Sequence, residues 1–313
     1  MTVNEKPPVN QELTSRPRRL IGISLLPAAA TLGNLLCGFL AIFCCLLAVR
    51  AEFAEYFAIQ PRVFLPRFEH LFPTHIAAGA YLIILAMVFD ALDGRLARMT
   101  RRTSEFGAQL DSISDIVSFG IAPVVLFVTL LLRPVSTAEP AQPDVSSLQF
   151  RIGLLCALVY VSCAAIRLAR YNAENVRSES AQRAFSGLPS PGAAAAVVAL
   201  LVLHETIRDT GIGADVIDWA NLLRWLLALT VFIVGLLMVS RLDYVHVFNI
   251  YVRRKRPPTH LVWLIVILGL GWYSLELLLV VLAFAYVLSG ILIGVAHRIR
   301  SRREDPSSAD TDS

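Results

Sequence analysis

Between Phe89 and Phe119 four aspartates stand at helical spacing, Asp90 with Asp93 and Asp111 with Asp115. Residues three or four apart share one face of a helix, so each pair presents its carboxylates side by side. Gly94, Ala97 and Arg98 continue the first face, and Gly107 precedes Asp111 by one turn on the second. The short polar stretch MTRRTSE between them reads as a turn, which makes the two helices antiparallel and lets the carboxylate faces meet. Small residues at Gly94, Ala97 and Gly107 allow the backbones to approach closely. Four such groups cannot all stay charged without a partner, because like charges and desolvation both penalise the ionised form. An all-oxygen set suits a hard divalent cation, Mg²⁺, Mn²⁺ or Ca²⁺. Such ions clamp phosphate oxygens, and a carboxylate left partly free can accept a proton. The chemistry expected of these residues is metal-dependent transfer of a phosphoryl-type group.

The elements that must position them are apolar. HIAAGAYLIILAMVF precedes the first pair and IAPVVLFVTLLL follows the second. The chain has 313 residues, of which 56% are hydrophobic and 17% charged, and its mean hydropathy is +0.63. Soluble domains carry about 25% charged residues. Apolar runs long enough to cross a bilayer recur at 23–49, 74–98, 107–132, 151–172, 189–207, 221–240, 260–275 and 279–297, the last two separated by the turn-like GLGWYS. The expected fold class is an all-α polytopic membrane protein. Ionisable residues inside spans of such proteins are functional by default.

Basic residues orient the spans. With the N-terminus inside, all 28 Lys and Arg residues except Arg50, Arg62, Arg67, Arg133, Arg151, Arg208 and Arg224 fall on the inner side. That bias places both termini and the aspartates on the cytoplasmic side of the cell membrane. The polar stretches 1–20 and 298–313 read as disordered tails, the first without a cleavable signal. YVRRKRPP, in a basic cytoplasmic loop at 246–259, suits the anionic headgroups of membrane lipids. Cys37, Cys44, Cys45, Cys156 and Cys163 lie in apolar segments and read as buried small hydrophobes. The six histidines share no helix face and are not read as ligands. Nothing implies a nucleic-acid partner.

The pattern D-x2-D-G-x2-A-R-x8-G-x3-D-x3-D resembles the signature of the CDP-alcohol phosphatidyltransferases. Asp90, Asp93, Gly94, Ala97, Arg98, Gly107, Asp111 and Asp115 occupy its fixed positions. The resemblance implies a six-helix membrane core, a homodimer, and CDP-diacylglycerol bound beside a pair of divalent ions. It implies Asp90, Asp93 and Asp111 as metal ligands, and Asp115 as both a ligand and the base that deprotonates the acceptor alcohol. Gly94 would let the cytidine nucleotide lie against its helix, with Arg98 near the phosphates.

Further stretches resemble the bacterial phosphatidylserine synthases within that family. They are LPAAATLGNLLCGFLAI, with Thr31, Asn34 and Gly38 as the shared positions, then AAIRLARYNAE with FSGLPSPGAAA, and LMVSRLDY. Thr31 and Asn34 are expected to join Asp90, Gly94 and Arg98 at the CDP-diacylglycerol site. Asn34, inside an apolar helix, needs a hydrogen-bond partner, either the cytosine or a neighbouring helix. Arg167, Arg170, Asn172, Ser190 and Arg241 are the acceptor-site candidates, since arginine's planar fork suits a serine carboxylate or a phosphate. The expected organisation is a catalytic domain at 21–245 and a C-terminal pair of transmembrane helices at 260–297. The implied reaction passes a phosphatidyl group from CDP-diacylglycerol to L-serine, giving phosphatidylserine and CMP. Two alternatives stay open: another acceptor (glycerol 3-phosphate, inositol phosphate or choline), and a carboxylate-lined cation transporter.

Overall fold

A computed structural model of the protein describes residues 21–56, 74–100, 105–133, 145–175, 187–210, 219–240 and 274–304, with positions 242, 269 and 271. Among them the secondary structure is helical, with no strand. In chain order the helices are α1 (Ile21–Tyr56), α2 (His75–Thr100), α3 (Glu105–Asp115), a π-helical segment (Ile116–Ile121), α4 (Ala122–Leu132), α5 (Leu148–Asn175), α6 (Ser190–Thr210), α7 (Trp219–Val239) and α8 (Leu275–Glu304). Among the described residues, seven stretches are long and apolar enough to cross a membrane: Pro27–Arg50, His75–Leu96, Phe106–Leu132, Leu148–Ala173, Ser190–Arg208, Trp219–Val239 and Leu275–Leu292. The run expected at 260–275 lies almost wholly outside the described residues. At the head of α8, Ser274 caps the helix by accepting the Leu277 N–H at 3.3 Å.

The helix α6 forms the centre of the bundle. Its PGAAAAVVALLVL run is apolar all round, as a helix enclosed on every side requires, and every residue from Ala196 to Val202 is buried. It packs against α2, α4, the π segment, α7 and α8, while α1 and α2 pair along their length. Outward-facing Leu36, Phe39, Leu46, Leu158 and Leu229 are exposed. That pattern fits a surface solvated by lipid rather than water. All five cysteines are free; Cys37, Cys45 and Cys163 are buried as expected of small hydrophobes, whereas Cys44 and Cys156 are only half-buried.

The continuous span expected from 107 to 132 is present as Phe106–Leu132, and within it α3 breaks into the π segment before α4. Pro123 explains the break. It lacks an N–H, so the Phe119 carbonyl four residues earlier loses its helical donor. The buried Tyr160 hydroxyl of α5 donates to that carbonyl instead, at 2.8 Å. One residue earlier, the Ala122 N–H reaches back five residues to the Val117 carbonyl, the wide π-type bond. Such segments shift the face a helix presents and are frequent near functional sites. Here the shift begins immediately after Asp115.

At the end of the bundle far from the aspartates, Glu205 of α6 ties three helices together. Its carboxylate accepts from Arg133, the C-cap of α4, at 2.8 Å, and lies 3.2 Å from His204 Nδ1. It also shares a side-chain hydrogen bond with Thr74, whose hydroxyl oxygen accepts the Ala77 N–H and so caps α2. Glu205 and His204 are both fully enclosed.

Candidate active site

The helices α2 and α3 bring three carboxylates together. One oxygen each from Asp90, Asp111 and Asp115 lies within 4.8 Å of the other two. All three side chains are half-buried. Asp93 is buried and turned toward α1, where the Thr31 hydroxyl donates to its carboxylate. Thr31 also lies within hydrogen-bond distance of the Pro27 carbonyl, at 3.0 Å, which anchors its side chain to its own helix.

Asn34 answers the question of its partner. Fully buried on α1, it donates from Nδ2 to Asp115 Oδ1 at 3.3 Å, while its own Oδ1 is buried without a protein partner. The contact holds one oxygen of Asp115 and leaves the other unconstrained by that bond. Two serines register α1 against the segment carrying Asp115. Ser114 donates to the Thr31 carbonyl at 3.1 Å and Ser118 to the Asn34 carbonyl at 2.9 Å. Gly38 permits this approach, because a Cβ there would sit 2.3 Å from Ser118 Oγ and 2.8 Å from its Cα. Sequence reasoning marked Gly38 as a shared small position; Ser114 and Ser118, which complete the contact, it missed.

Around the carboxylates, α5 and α6 supply a cation and its support. Arg167 donates from a terminal nitrogen to the buried Ser190 hydroxyl at 2.8 Å, and its Nε is buried without a partner. Its guanidinium interacts electrostatically with Asp115, and the phenols of Tyr171, Tyr286 and Tyr160 lie within electrostatic range. Ser190 opens α6 after Gly187, whose φ of +95° places it in the left-handed region that glycine tolerates. The N–H groups of Gly187 and Leu188 bond the carbonyls of Leu242 and Leu237, pinning the loop before Ser190 to the end of α7.

The remaining acceptor candidates are placed differently. Arg170 reaches the Val239 carbonyl at 3.4 Å, a long contact at the C-terminal end of α7, where a cation suits the helix dipole. Exposed Asn172 exchanges hydrogen bonds with Ser112 at 3.0 and 3.2 Å, beside Asp111. Arg241 and the Arg98 side chain lie outside the described residues. Gly94, one turn beyond Asp90, is exposed, and a Cβ there would meet no atom within 4 Å.

The donor set fits a divalent ion. Two like charges about 4 Å apart repel by roughly 4 kcal/mol at an effective dielectric of about 20. A single surface ion pair returns only about 1 kcal/mol or less, so a monovalent partner at the rim does not compensate three carboxylates. Oxygens sharing one Mg²⁺, Mn²⁺ or Ca²⁺ at roughly 2.0–2.6 Å from the ion stand no more than about 5 Å apart. The observed trio meets that limit. Asp90, Asp111 and Asp115 could therefore hold such a cation.

The profile of the CDP-alcohol phosphatidyltransferase family matches residues 24–234. A Methanocaldococcus jannaschii protein named CDP-diacylglycerol–serine O-phosphatidyltransferase is 34% identical over 163 residues, covering 52% of this chain and 61% of that protein. Proteins of the same name from Mycobacterium bovis and Bacillus subtilis are 28% and 29% identical, over 82% and 59% of this chain and 71% and 80% of their own lengths. The matched part thus spans a little under two thirds of the archaeal relative.

Proposed function

The chain belongs to the CDP-alcohol phosphatidyltransferase family, and from that premise we propose that it transfers the phosphatidyl group of CDP-diacylglycerol to L-serine, releasing CMP. The observation that carries the reading is the convergence of Asp90, Asp111 and Asp115 beside Arg167. The relatives' shared name supports serine as the acceptor.

In this reading Asp90, Asp93, Asp111 and Asp115 hold divalent metal, Mg²⁺ or Mn²⁺. When bound, the cation would neutralise the donor's pyrophosphate and stabilise the charge that develops on departing CMP. Asp115, oriented by Asn34, takes the proton from the serine hydroxyl. The serine oxygen forms a bond to the phosphatidyl phosphorus as that atom's bond to the bridging oxygen breaks, and CMP leaves with the electron pair. Direct displacement is supported by the serines nearest the carboxylates. Ser112, Ser114 and Ser118 donate to main-chain carbonyls and none is paired with a base. Gly94 gives the nucleotide an open helix face, with Arg98 near the phosphates. Arg167, held by Ser190, meets the serine carboxylate.

The excess of basic residues on one side supports a cytoplasmic site with both termini inside. The test is an acceptor panel: purified protein with CDP-diacylglycerol and Mn²⁺ or Mg²⁺ is offered serine, glycerol 3-phosphate, inositol phosphate or choline, and CMP is measured. Release with serine is expected. Release with another alcohol and none with serine would overturn the acceptor assignment.

A further inference from the structure

Residues matching the family profile end at 234, well before α8 begins at Leu275. The helix α8 is nevertheless packed against the core. Ala283 and Val287 are buried, and α8 lies along α6. Its first turn lies at the end far from the carboxylates, where Glu276 interacts with Tyr81 near the start of α2. Eleven residues on, at about 1.5 Å per residue, the chain has descended most of the way toward the aspartates. There Tyr286 meets the first turn of α6.

The contact is close. A Cβ on Gly192 would stand 2.5 Å from Tyr286 Cε1 and 3.1 Å from Cδ1, so the ring occupies the space that only a glycine leaves open. Gly192 lies two residues after Ser190, the partner of Arg167. The Tyr286 phenol also lies within electrostatic range of Arg167. Arg167 is therefore flanked by its own helix, by Ser190 of α6 and by Tyr286 of α8. Of its nitrogens, Nε is buried without a protein partner, so the guanidinium keeps a donor for a ligand.

We infer that α8 is a working part of the acceptor pocket, with Tyr286 as a positioning residue that orients the Arg167 guanidinium toward the carboxylate of the amino-acid acceptor. The inference rests on the serine-transfer reading above and extends it to a helix beyond the family core. The donor side, built on α1, α2 and α3, does not involve Tyr286. Its loss should therefore register on one substrate only.

The experiment is steady-state CMP release by wild-type protein, Tyr286→Phe and Gly192→Ala. Serine and CDP-diacylglycerol are varied separately, with the carboxylate-free analogue serinol as a second acceptor. Tyr286→Phe keeps the ring against Gly192 and removes only the hydroxyl. A polar interaction with a charged group is worth on the order of tenfold in binding, so on this inference its KM for serine should rise about fivefold to tenfold. Its kcat and its KM for CDP-diacylglycerol should stay within about twofold of wild type, as should its turnover of serinol. Gly192→Ala, which displaces the ring, should show the same signature. An unchanged serine KM in Tyr286→Phe, or a matching rise for CDP-diacylglycerol or serinol, would overturn the inference and leave the function intact. Wild-type protein inactive with serine would overturn the function instead.

Discussion

Asp115 and Asn34 lie 81 positions apart in the sequence yet form one unit. The carboxylates were legible because period 3.6 is local: Asp90 with Asp93 and Asp111 with Asp115 declare a shared face within one turn of helix. What that spacing does not carry is the division of labour among them. Three carboxylates converge, while Asp93 turns to Thr31, because α1 supplies a hydroxyl there and an amide one turn later. Gly94 offers a direct test at this scale. A valine side chain at position 94 has open space around its Cβ, so the protein should fold with an unchanged melting temperature. It would nevertheless occupy the face assigned to the nucleotide. The expected result for Gly94→Val is a KM for CDP-diacylglycerol raised tenfold or more, on the order of an overpacking penalty of about 1–3 kcal/mol from the added isopropyl group, with metal binding retained. Unaltered donor kinetics would remove Gly94 from the nucleotide site.

At the scale of elements, the span carrying Asp111 and Asp115 is continuous as expected, but it passes through a π segment between α3 and α4. Pro123 was visible in the sequence, but Tyr160, which satisfies the carbonyl it frees, sits on another helix. A π turn depends on such a distant partner, so a local pattern does not announce it. The same holds for Glu205. An acidic residue near the end of an apolar run looks like a helix terminus until Arg133, His204 and Thr74 are seen around it. Removing one member of a buried ionic group costs roughly 3–5 kcal/mol, because the partner's charge is left uncompensated. Glu205→Ala should therefore lower the thermal unfolding midpoint markedly in detergent, while the surviving folded fraction keeps the wild-type serine KM. Gly38→Ala tests the opposite end. Its Cβ would collide with the Ser118 main chain, and overpacking of this kind costs about 1–3 kcal/mol. Here activity should fall along with stability, since α1 is pushed away from Asp115.

On the whole-molecule scale, hydropathy alone outlined the bundle, because each apolar run must form its own backbone bonds in lipid and so becomes a helix. Which helix occupies the centre is a tertiary matter, though the all-apolar PGAAAAVVALLVL was a usable sign of α6. The place of α8 beside Arg167 had no such sign, since Tyr286 lies in a run of lipid-compatible residues with no polar periodicity. The bundle as a whole accounts for the location of the chemistry. In the proposed reaction a lipid donor meets a water-soluble acceptor, which calls for a site at the membrane surface, and α2 and α3 bring the carboxylates together with Arg167 close by. The account stands on those carboxylates acting through bound divalent metal. CMP release from CDP-diacylglycerol and serine, measured with Mn²⁺, with EDTA, and with Asp115→Asn whose Mn²⁺ binding is followed in parallel, tests it most directly. Release should require the cation, return when Mn²⁺ is restored, and fall by at least about a hundredfold in Asp115→Asn, as expected for loss of a general base. Undiminished release in EDTA, or wild-type turnover by Asp115→Asn, would contradict it.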